Sequence, residues 1–193
     1  MKLCDFAEVK TGVVLARKKV NGNGDVAATY NLLTLNNIGD DGVIINGDGF
    51  ETFHSSDALG AHYFTEAGDV VMRLSHPHTA VYIDEKHAGL LVPSYFAIIK
   101  ADTRKCLPQF ISWYLNSSMV KRELERSQSG SRIPSTNKNV LKSIPMQEIT
   151  LEKQKWIVDL LKLHQREKHL YYRLIEEKEK EFTAITQQIL AKK

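Results

Sequence analysis

The sequence predicts an α+β protein, in which a globular domain with a curved, mostly antiparallel sheet and flanking helices precedes a long C-terminal coiled-coil helix. Three observations support this prediction. Short alternating apolar runs fill the first hundred residues, helical spacing follows in segment 108–127, and segment 150–193 contains neither Gly nor Pro. We therefore predict a domain over residues 1–148 and a helix over residues 149–193.

The strand predictions rest on five runs that are rich in Val, Ile, Tyr and Phe. They read NLLTLNNI, GVIIN, GDVVMRL, TAVYI and SYFAIIK, and Gly, Asp and Asn bound them. The stretches NGNGD at 21–25 and NGDG at 46–49 are typical of turns. This pattern indicates a mostly antiparallel, curved sheet rather than βαβ repeats.

Two helical segments follow the strands. Pro108 suits the first turn of the helix PQFISWYLNSSMVKRELERS, and Gly130 is a suitable stop signal. The second helix begins after Thr150, a favourable N-cap residue. Unbroken, it spans about 43 residues and roughly 65 Å, which is too long for a helix that packs along a small domain.

The apolar residues of this long helix alternate by four and three positions, which is the spacing of a coiled-coil seam. The seam consists of Ile157, Leu161, His164, Lys168, Tyr171, Ile175, Lys178, Phe182, Ile185 and Ile189. Its three polar members, at 164, 168 and 178, cost stability but can fix the register and the partner. Because the sequence offers no second long helix, we expect the partner to be another chain.

Composition excludes several classes of protein. No window reaches the length of a membrane span, and the first residues lack the apolar run of a signal peptide. Cys4 and Cys106 are too few for a disulfide scaffold or a CxxC metal site, and we expect two reduced thiols in a cytoplasmic protein. Charge is segregated: residues 100–143 carry nine Lys and Arg against three Asp and Glu. Such a basic segment attracts polyanions, although charge blocks are often only solvated faces.

Three polar loops are candidates for binding a nucleic acid. The stretch SGSRIPSTNKNVLKSIP at 129–145 combines a flexible backbone with Arg and Lys for phosphate and Asn for adenine. The same loop also caps the helix before it and orients the helix after it. The candidate residues in the three loops are Ser131, Arg132, Asn137, Lys138 and Asn139; Arg17, Lys18 and Lys19; and Arg73, His76 and His78. Each cluster taken alone is more often a solvated surface than a site, and the two histidines have no third metal ligand at a recognisable spacing.

Catalytic motifs are scarce, so we expect the chain not to be an enzyme. There is no GxxxxGK[ST] loop, GxSxG elbow or HExxH helix. One alternative is a Mg²⁺-dependent nuclease, in which Asp69 and Asp84 bind the metal and Lys86 positions the attacking water. Its residues also fit ordinary strand entry and turn chemistry. Another alternative is a protein-interaction adaptor that functions only through its coiled coil.

The ordered set of motifs resembles one half of the DNA-specificity (S) subunit of type I restriction–modification systems. The resemblance rests on LCDFAEVKTG, GDVVMRL, YFAIIK, PQFISWYLNS, SGSRIPSTNKNVLKSIPM and TLEKQKWIVDLL, which occur in that order along essentially the whole chain. It implies a non-catalytic target-recognition domain that reads a few base pairs of double-stranded DNA through the major groove. It also implies that the helix acts as a spacer and an assembly rod.

Further partners follow from this resemblance. Two DNA methyltransferase (modification) subunits would carry S-adenosylmethionine, with the restriction subunit as a further candidate partner; no cofactor is expected on this chain. Full S subunits contain two recognition domains and two long helices, whereas this chain has one of each. The chain is then a natural half subunit, a truncated gene product or an excised segment. In the first case we expect a homodimer through antiparallel C-terminal helices, whose two-fold symmetry would require two identical inverted half-sites in a bipartite target.

Overall fold

The computed structural model of the protein describes residues 1–20, 25–45, 49–127 and 136–191. Within them, strands and helices follow in the order predicted for an α+β protein. The strands are β1 (Ala7–Thr11), β2 (Ala28–Leu32), β3 (Glu51–Ser55), β4 (Asp69–Arg73), β5 (Ala80–Tyr82) and β6 (Phe96–Ala101). The α-helices are α1 (Pro108–Leu115), α2 (Ser118–Ser127), α3 (Lys138–Ser143) and α4 (Leu151–Ala191).

Every pair of these strands is antiparallel, which confirms the prediction of antiparallel pairing. Four strands form one sheet in the order β1-β6-β4-β5, while β2 and β3 form a second, two-stranded sheet. In the larger sheet Val71 lies opposite both Val81 and Ile98, so β4 is a central strand. Its residues 69–72 are buried on both faces, as expected of a strand with packed layers above and below.

The core lies on both sides of the larger sheet. One face packs against the loops before β3 and before β6, in a cluster that includes Leu33, Val71 and Phe96. On the other face, α1 contacts β4 and β5 and buries Ile111 and Leu115. Each fully buried side chain of this size contributes roughly 1.5–3 kcal/mol. A smaller cluster of Val13, Leu32, Phe53 and Leu91 underlies the two-stranded sheet.

Three predicted elements differ from the structure. Only the first two residues of the run NLLTLNNI lie in β2, since Leu35–Asn37 form a short 3-10 helix. The described residues 42–45 of the run GVIIN do not form a strand; Ile44 makes one isolated bridge to Ile38, next to a turn in which Gly42 has a φ of 76°. The predicted helix from Pro108 breaks after Leu115, because the Asn116 side chain turns away to bond the edge of β5. Its Oδ1 accepts from the backbone N–H of Ala80 at 2.9 Å and its Nδ2 donates to the carbonyl of Ala80 at 2.7 Å.

The start of α4 is fixed by a buried glutamine. The backbone N–H of Leu107 donates to Oε1 of Gln154 at 2.8 Å, and Nε2 donates to the carbonyls of Lys105 and Ile149, both at 3.0 Å. The hydroxyl of Thr150 lies 3.4 Å from the backbone N–H of Lys153, so the predicted N-cap is in place. The first turn of α4 is therefore tied to the loop before α1.

The described chain forms two compact units, Met1–Gln154 and Lys155–Lys193. The prediction of a long C-terminal helix is confirmed, since α4 runs from Leu151 to Ala191. The boundary predicted after residue 148 stays a prediction, as does the pairing of α4 into a coiled coil. None of the described helices is both long enough and apolar enough to cross a membrane.

Candidate nucleic-acid interface

The basic cluster at 17–19 extends the two-stranded sheet. A short 3-10 helix, Leu15–Arg17, leads into Lys19, which bridges antiparallel to Ser55 of β3. The carbonyl of Lys18 accepts from the backbone N–H of Ser56 at 2.9 Å. Arg17 and Lys19 are exposed, so the predicted cationic surface lies here along the outer edge of β3.

The turn between β4 and β5 holds the next three predicted residues. Arg73 is half-buried at the end of β4, and its backbone N–H donates to the carbonyl of Thr79 at 3.0 Å. His76 is exposed, whereas His78 is only 1% exposed and its backbone adopts a left-handed φ of 54°. The inclusion of His78 among surface residues is therefore corrected: its imidazole packs inside the turn, because the chain reverses there and enters β5.

The third loop is described from residue 136 onward; Ser131 and Arg132 lie outside the described residues. Asn137 is the N-cap of α3, with its Oδ1 accepting from the backbone N–H groups of Asn139 and Val140. Because this carbonyl oxygen is engaged, Asn137 is poorly suited to the two-point contact that recognises adenine. Lys138 and Asn139 remain exposed.

The fold brings two of the three predicted clusters together. The backbone N–H of Thr136, at the start of the described part of the third loop, donates to the carbonyl of Leu74 at 2.7 Å. Residues 136–139 thus adjoin the turn that holds Arg73 and His76. The cluster at 17–19 belongs instead to the two-stranded sheet.

The side chains of the nuclease alternative have structural roles. Asp69 is buried at 3% exposure; it accepts from the backbone N–H of Glu66 at 2.9 Å and pairs with Nζ of Lys100 at 3.0 Å. Asp84 caps the short helix that contains Lys86, accepting from its backbone N–H. Among the residues that the structure describes, no cluster of three His, Cys, Asp or Glu could hold a metal ion. The geometry therefore favours a role for both carboxylates in folding.

The ion pairs of Lys100 also shift the pKa values of the groups around β4. Burial alone would lower the pKa of Lys100, but hydrogen bonds and attraction from Glu66 and Asp69 outweigh it and raise the pKa. The hydrogen bond from Lys100 in turn lowers the pKa of Glu66. Burial raises the pKa of Cys106 to about 12, so this thiol is unsuited to nucleophilic chemistry.

The predicted seam of α4 lies open along much of its length. Tyr171, Ile175, Phe182 and Ile189 are all between 58% and 66% exposed, although each is large and apolar. Lys178 forms an ion pair with Glu181 at 2.7 Å, one turn away on the same helix. An exposed apolar row of this length is a candidate surface for pairing with another helix, and that pairing stays a prediction.

A second apolar row on α4 was not predicted from the sequence. Trp156, Leu160, Leu163, Leu170 and Leu174 are each more than half exposed. They follow the same four-and-three spacing, one position before the predicted seam, and stop near the middle of the helix. The spacing of these residues is visible in the sequence, but the predicted seam includes only one of the two rows. Together the two rows form a wider apolar face.

A polar face on the two-stranded sheet was also not predicted. The exposed side chains Thr29 and Asn31 of β2 lie opposite His54 and Thr52 of β3. Their alternation with Tyr30 and Phe53 is visible in the sequence, but the pairing of β2 with β3 is not.

The comparisons with known proteins support a specificity-subunit fold. No protein-family model matches the sequence, and no curated protein is significantly similar to it. The HsdS subunit from Thermoanaerobacter tengcongensis is 17% identical with a TM-score of 0.71, over 99% of this chain and 48% of that one. A second neighbour comes from a structure that addresses complex assembly and conformational transition of the type I R-M system. It is 16% identical to this chain with a TM-score of 0.68, and the match covers 99% of this chain and 48% of that one.

A third neighbour extends the same comparison. The S subunit of the type I restriction–modification system from M. genitalium is 10% identical with a TM-score of 0.54, over 86% of this chain and 38% of that one. At these identities the likeness concerns the fold. The predicted α+β class and its resemblance in fold to S subunits are confirmed, and the chain spans about half the length of the structures that it matches.

Proposed function

We propose that this chain provides one DNA-recognition half of a type I restriction–modification specificity subunit, with one target-recognition domain and one long helix. The observation that carries the proposal is the fold match to an HsdS subunit, which covers 99% of this chain, the domain and the helix included. In this role the chain selects the DNA sequence and catalyses no reaction. It acts in the cytoplasm, where its DNA and its partners are.

Exposed cationic and polar side chains of the domain support the DNA-binding part of the proposal. Arg17 and Lys19 flank the two-stranded sheet, while Lys138 and Asn139 are exposed where the third loop adjoins the β4–β5 turn with His76. Lys and Arg neutralise phosphates and set the salt dependence of binding. Asn and His donate to and accept from base edges.

The predicted seam of α4 supports a homodimer. A single domain of this size reads only one part of a bipartite target, and two copies joined through α4 present two identical reading surfaces. Two-fold symmetry then requires inverted half-sites. Burying side chains such as Tyr171, Ile175 and Phe182 against a second copy removes their exposed apolar area from water.

The second apolar row supports a further helical partner. A helix that pairs with one neighbour needs one seam, whereas α4 has a second row that includes Trp156, Leu160 and Leu170. We assign this row to the methyltransferase subunit, which would carry S-adenosylmethionine, with the restriction subunit as an additional partner. One of the fold neighbours comes from a structure of type I complex assembly.

The proposal is tested by selection from a randomised DNA duplex, with the full chain alone and together with a type I methyltransferase subunit. We expect a bipartite site to be enriched in at least one condition. Failure to enrich any sequence in both would refute the DNA-specificity function. A tight dimer with no DNA affinity at low salt would instead favour the interaction adaptor.

The cationic residues are tested by the salt dependence of binding. The double variant Arg17→Ala/Lys19→Ala should lower the slope of log affinity against log salt by about 0.9 for each phosphate that is no longer neutralised. The matched control Lys162→Ala/Arg166→Ala removes two exposed cations from α4 and should leave the slope unchanged. Equal slopes for both variants would remove the segment at 17–19 from the interface.

A further inference from the structure

The outer face of the two-stranded sheet has an unusual composition for an exposed surface. Its four side chains, Thr29, Asn31, Thr52 and His54, are all exposed, and none of them is Lys, Arg, Asp or Glu. The opposite face packs into the core through Leu32 and Phe53. The exposed face therefore presents only short side chains that donate and accept hydrogen bonds.

We propose that this face reads base edges in the major groove of double-stranded DNA, with Asn31 and His54 as specificity-determining residues. The inference rests on the proposed DNA-binding function and assigns the reading surface within it. Lys19 and Arg17 contact the phosphates beside the groove.

The dimensions of the sheet fit the groove. The register places Thr29 opposite His54 and Asn31 opposite Thr52, and cross-strand neighbours lie about 5 Å apart. Alternate residues along a strand are about 6.8 Å apart, which spans two base-pair steps at about 3.4 Å each. A groove about 12 Å wide admits a two-stranded ribbon.

The chemistry of the four side chains matches base edges. An Asn amide presents one donor and one acceptor, which is the pattern that pairs with the N6 and N7 atoms of adenine, and Thr bonds to several bases or contacts the thymine methyl group. Among the described residues, the side chains of Asn31 and Thr52 have no hydrogen-bond partner within the protein. Thr29 Oγ1 lies 3.1 Å from Nδ1 of His54, which leaves Nε2 of the ring for a base.

The cations of segment 17–19 favour DNA as the occupant of this face, while the exposed Glu51 at the start of β3 and Asp57 after its end are acidic neighbours. Lys19 bridges antiparallel to Ser55, so the cationic segment continues the sheet beyond β3. Lys18 pairs with Asp57 at 2.9 Å, but both side chains are more than a third exposed, and exposed pairs contribute little to stability. Lys18 can therefore exchange this partner for a phosphate. Neutral residues at the centre and cations at the edge are the arrangement in which phosphates position the protein and bases specify the site.

The test uses the full chain and the site selected by the wild type, with the double variant Asn31→Ala/His54→Ala. We expect a loss of preference at one or two base pairs of each half-site, a fall of about ten- to hundredfold in affinity for the selected site, and an unchanged salt slope. The control variant Asn36→Ala changes an exposed Asn outside this face and should behave as wild type.

The outcomes separate this inference from the function on which it rests. If the wild type selects no sequence, both are refuted. If the wild type and the double variant select the same site with equal affinity, the DNA-specificity function stands and the reading surface lies elsewhere. Thermal melting verifies that the double variant is folded; the single variants Asn31→Ala and His54→Ala provide the same comparison if it is not.

Discussion

Gln154 offers a direct test of what holds the first turn of α4 in place. Its side chain is 1% exposed. Its amide accepts one hydrogen bond from Leu107 and donates two, to Lys105 and Ile149, so that only one lone pair of the oxygen is unused. Substituting Gln154→Ala removes three hydrogen bonds at once. It leaves one backbone N–H and two carbonyls without these partners.

The expected loss of stability can be worked out from these three bonds. A hydrogen bond contributes about 1 kcal/mol net, and a buried group left without a partner costs more. Because Lys105 is exposed and water can reach its carbonyl, we expect a loss of about 3 kcal/mol rather than the upper limit. For a chain of this size each kcal/mol lowers the melting temperature by about 2–4 °C, which predicts a decrease of about 6–12 °C.

The assay is differential scanning calorimetry of the full chain. The control Gln187→Ala removes an exposed glutamine from the same helix and should change stability by less than about 0.5 kcal/mol. If Gln154→Ala melted within a degree or two of this control, the three bonds would contribute nothing measurable and the reasoning would be refuted.

The variant Gln154→Glu adds a pH-dependent form of the same test. It keeps the acceptor for Leu107 but places an oxygen against the carbonyls of Lys105 and Ile149. Burial and these carbonyls raise the pKa of the new carboxyl group in the folded state. A raised folded pKa means that stability is present at acidic pH and is lost as pH rises, so this variant should be closest to wild type in acid.

Three further predictions follow from the ion pair, the helix and the cysteines. Lys100→Met leaves the buried carboxylate of Asp69 without its cation and should lower the free energy of unfolding in urea by about 2–3 kcal/mol. Because the pKa of Lys100 is raised in the folded state, the difference in stability between wild type and variant should shrink as the pH rises above 10.5, the ordinary pKa of lysine. Ile175→Glu puts a charge in the predicted seam and should convert a dimer into a folded monomer, as measured by sedimentation. Cys4 is exposed and should react with a thiol reagent in the native protein, whereas Cys106, with a pKa of about 12, should react only on unfolding.

Matched variants control these three predictions. Lys10→Met removes an exposed ion pair with Glu8 and should change stability by less than about 1 kcal/mol; equal losses in Lys10→Met and Lys100→Met would contradict the assigned role of the buried pair. Gln187→Glu adds the same charge outside the seam, so it should stay dimeric. A dimeric Ile175→Glu protein would show that another surface pairs the chains, and simultaneous labelling of both thiols would show that Cys106 is accessible.

Local signals in the sequence predicted much of the fold. Pro108 begins α1 and Thr150 caps α4, as expected from their preferences for helix starts. The break after Leu115 could not be predicted, because Asn116 bonds to Ala80, 36 positions earlier in the chain. A helical pattern gives no sign of such a distant partner.

In the candidate site, too, some features follow from local sequence and others only from contacts between distant residues. That polar and cationic residues cluster near 17, 73 and 138 followed from the composition. That His78 is buried and that Asn137 caps a helix followed only from the folded backbone. The proposed reading face depends on the pairing of β2 with β3, which lie in separate segments of the chain.

The amino-acid sequence by itself determined the α+β class and the long amphipathic helix, because periodicities of two and about 3.5 residues arise from the geometry of the strand and the helix alone. The tertiary structure decided which polar groups are engaged inside the protein and which stay exposed at its surface. Asp69 and Lys100 neutralise each other across neighbouring strands, whereas Asn31 and Thr52 face outward. Burial and hydrogen bonding join residues that are distant along the chain, so these outcomes are settled only when the strands have paired.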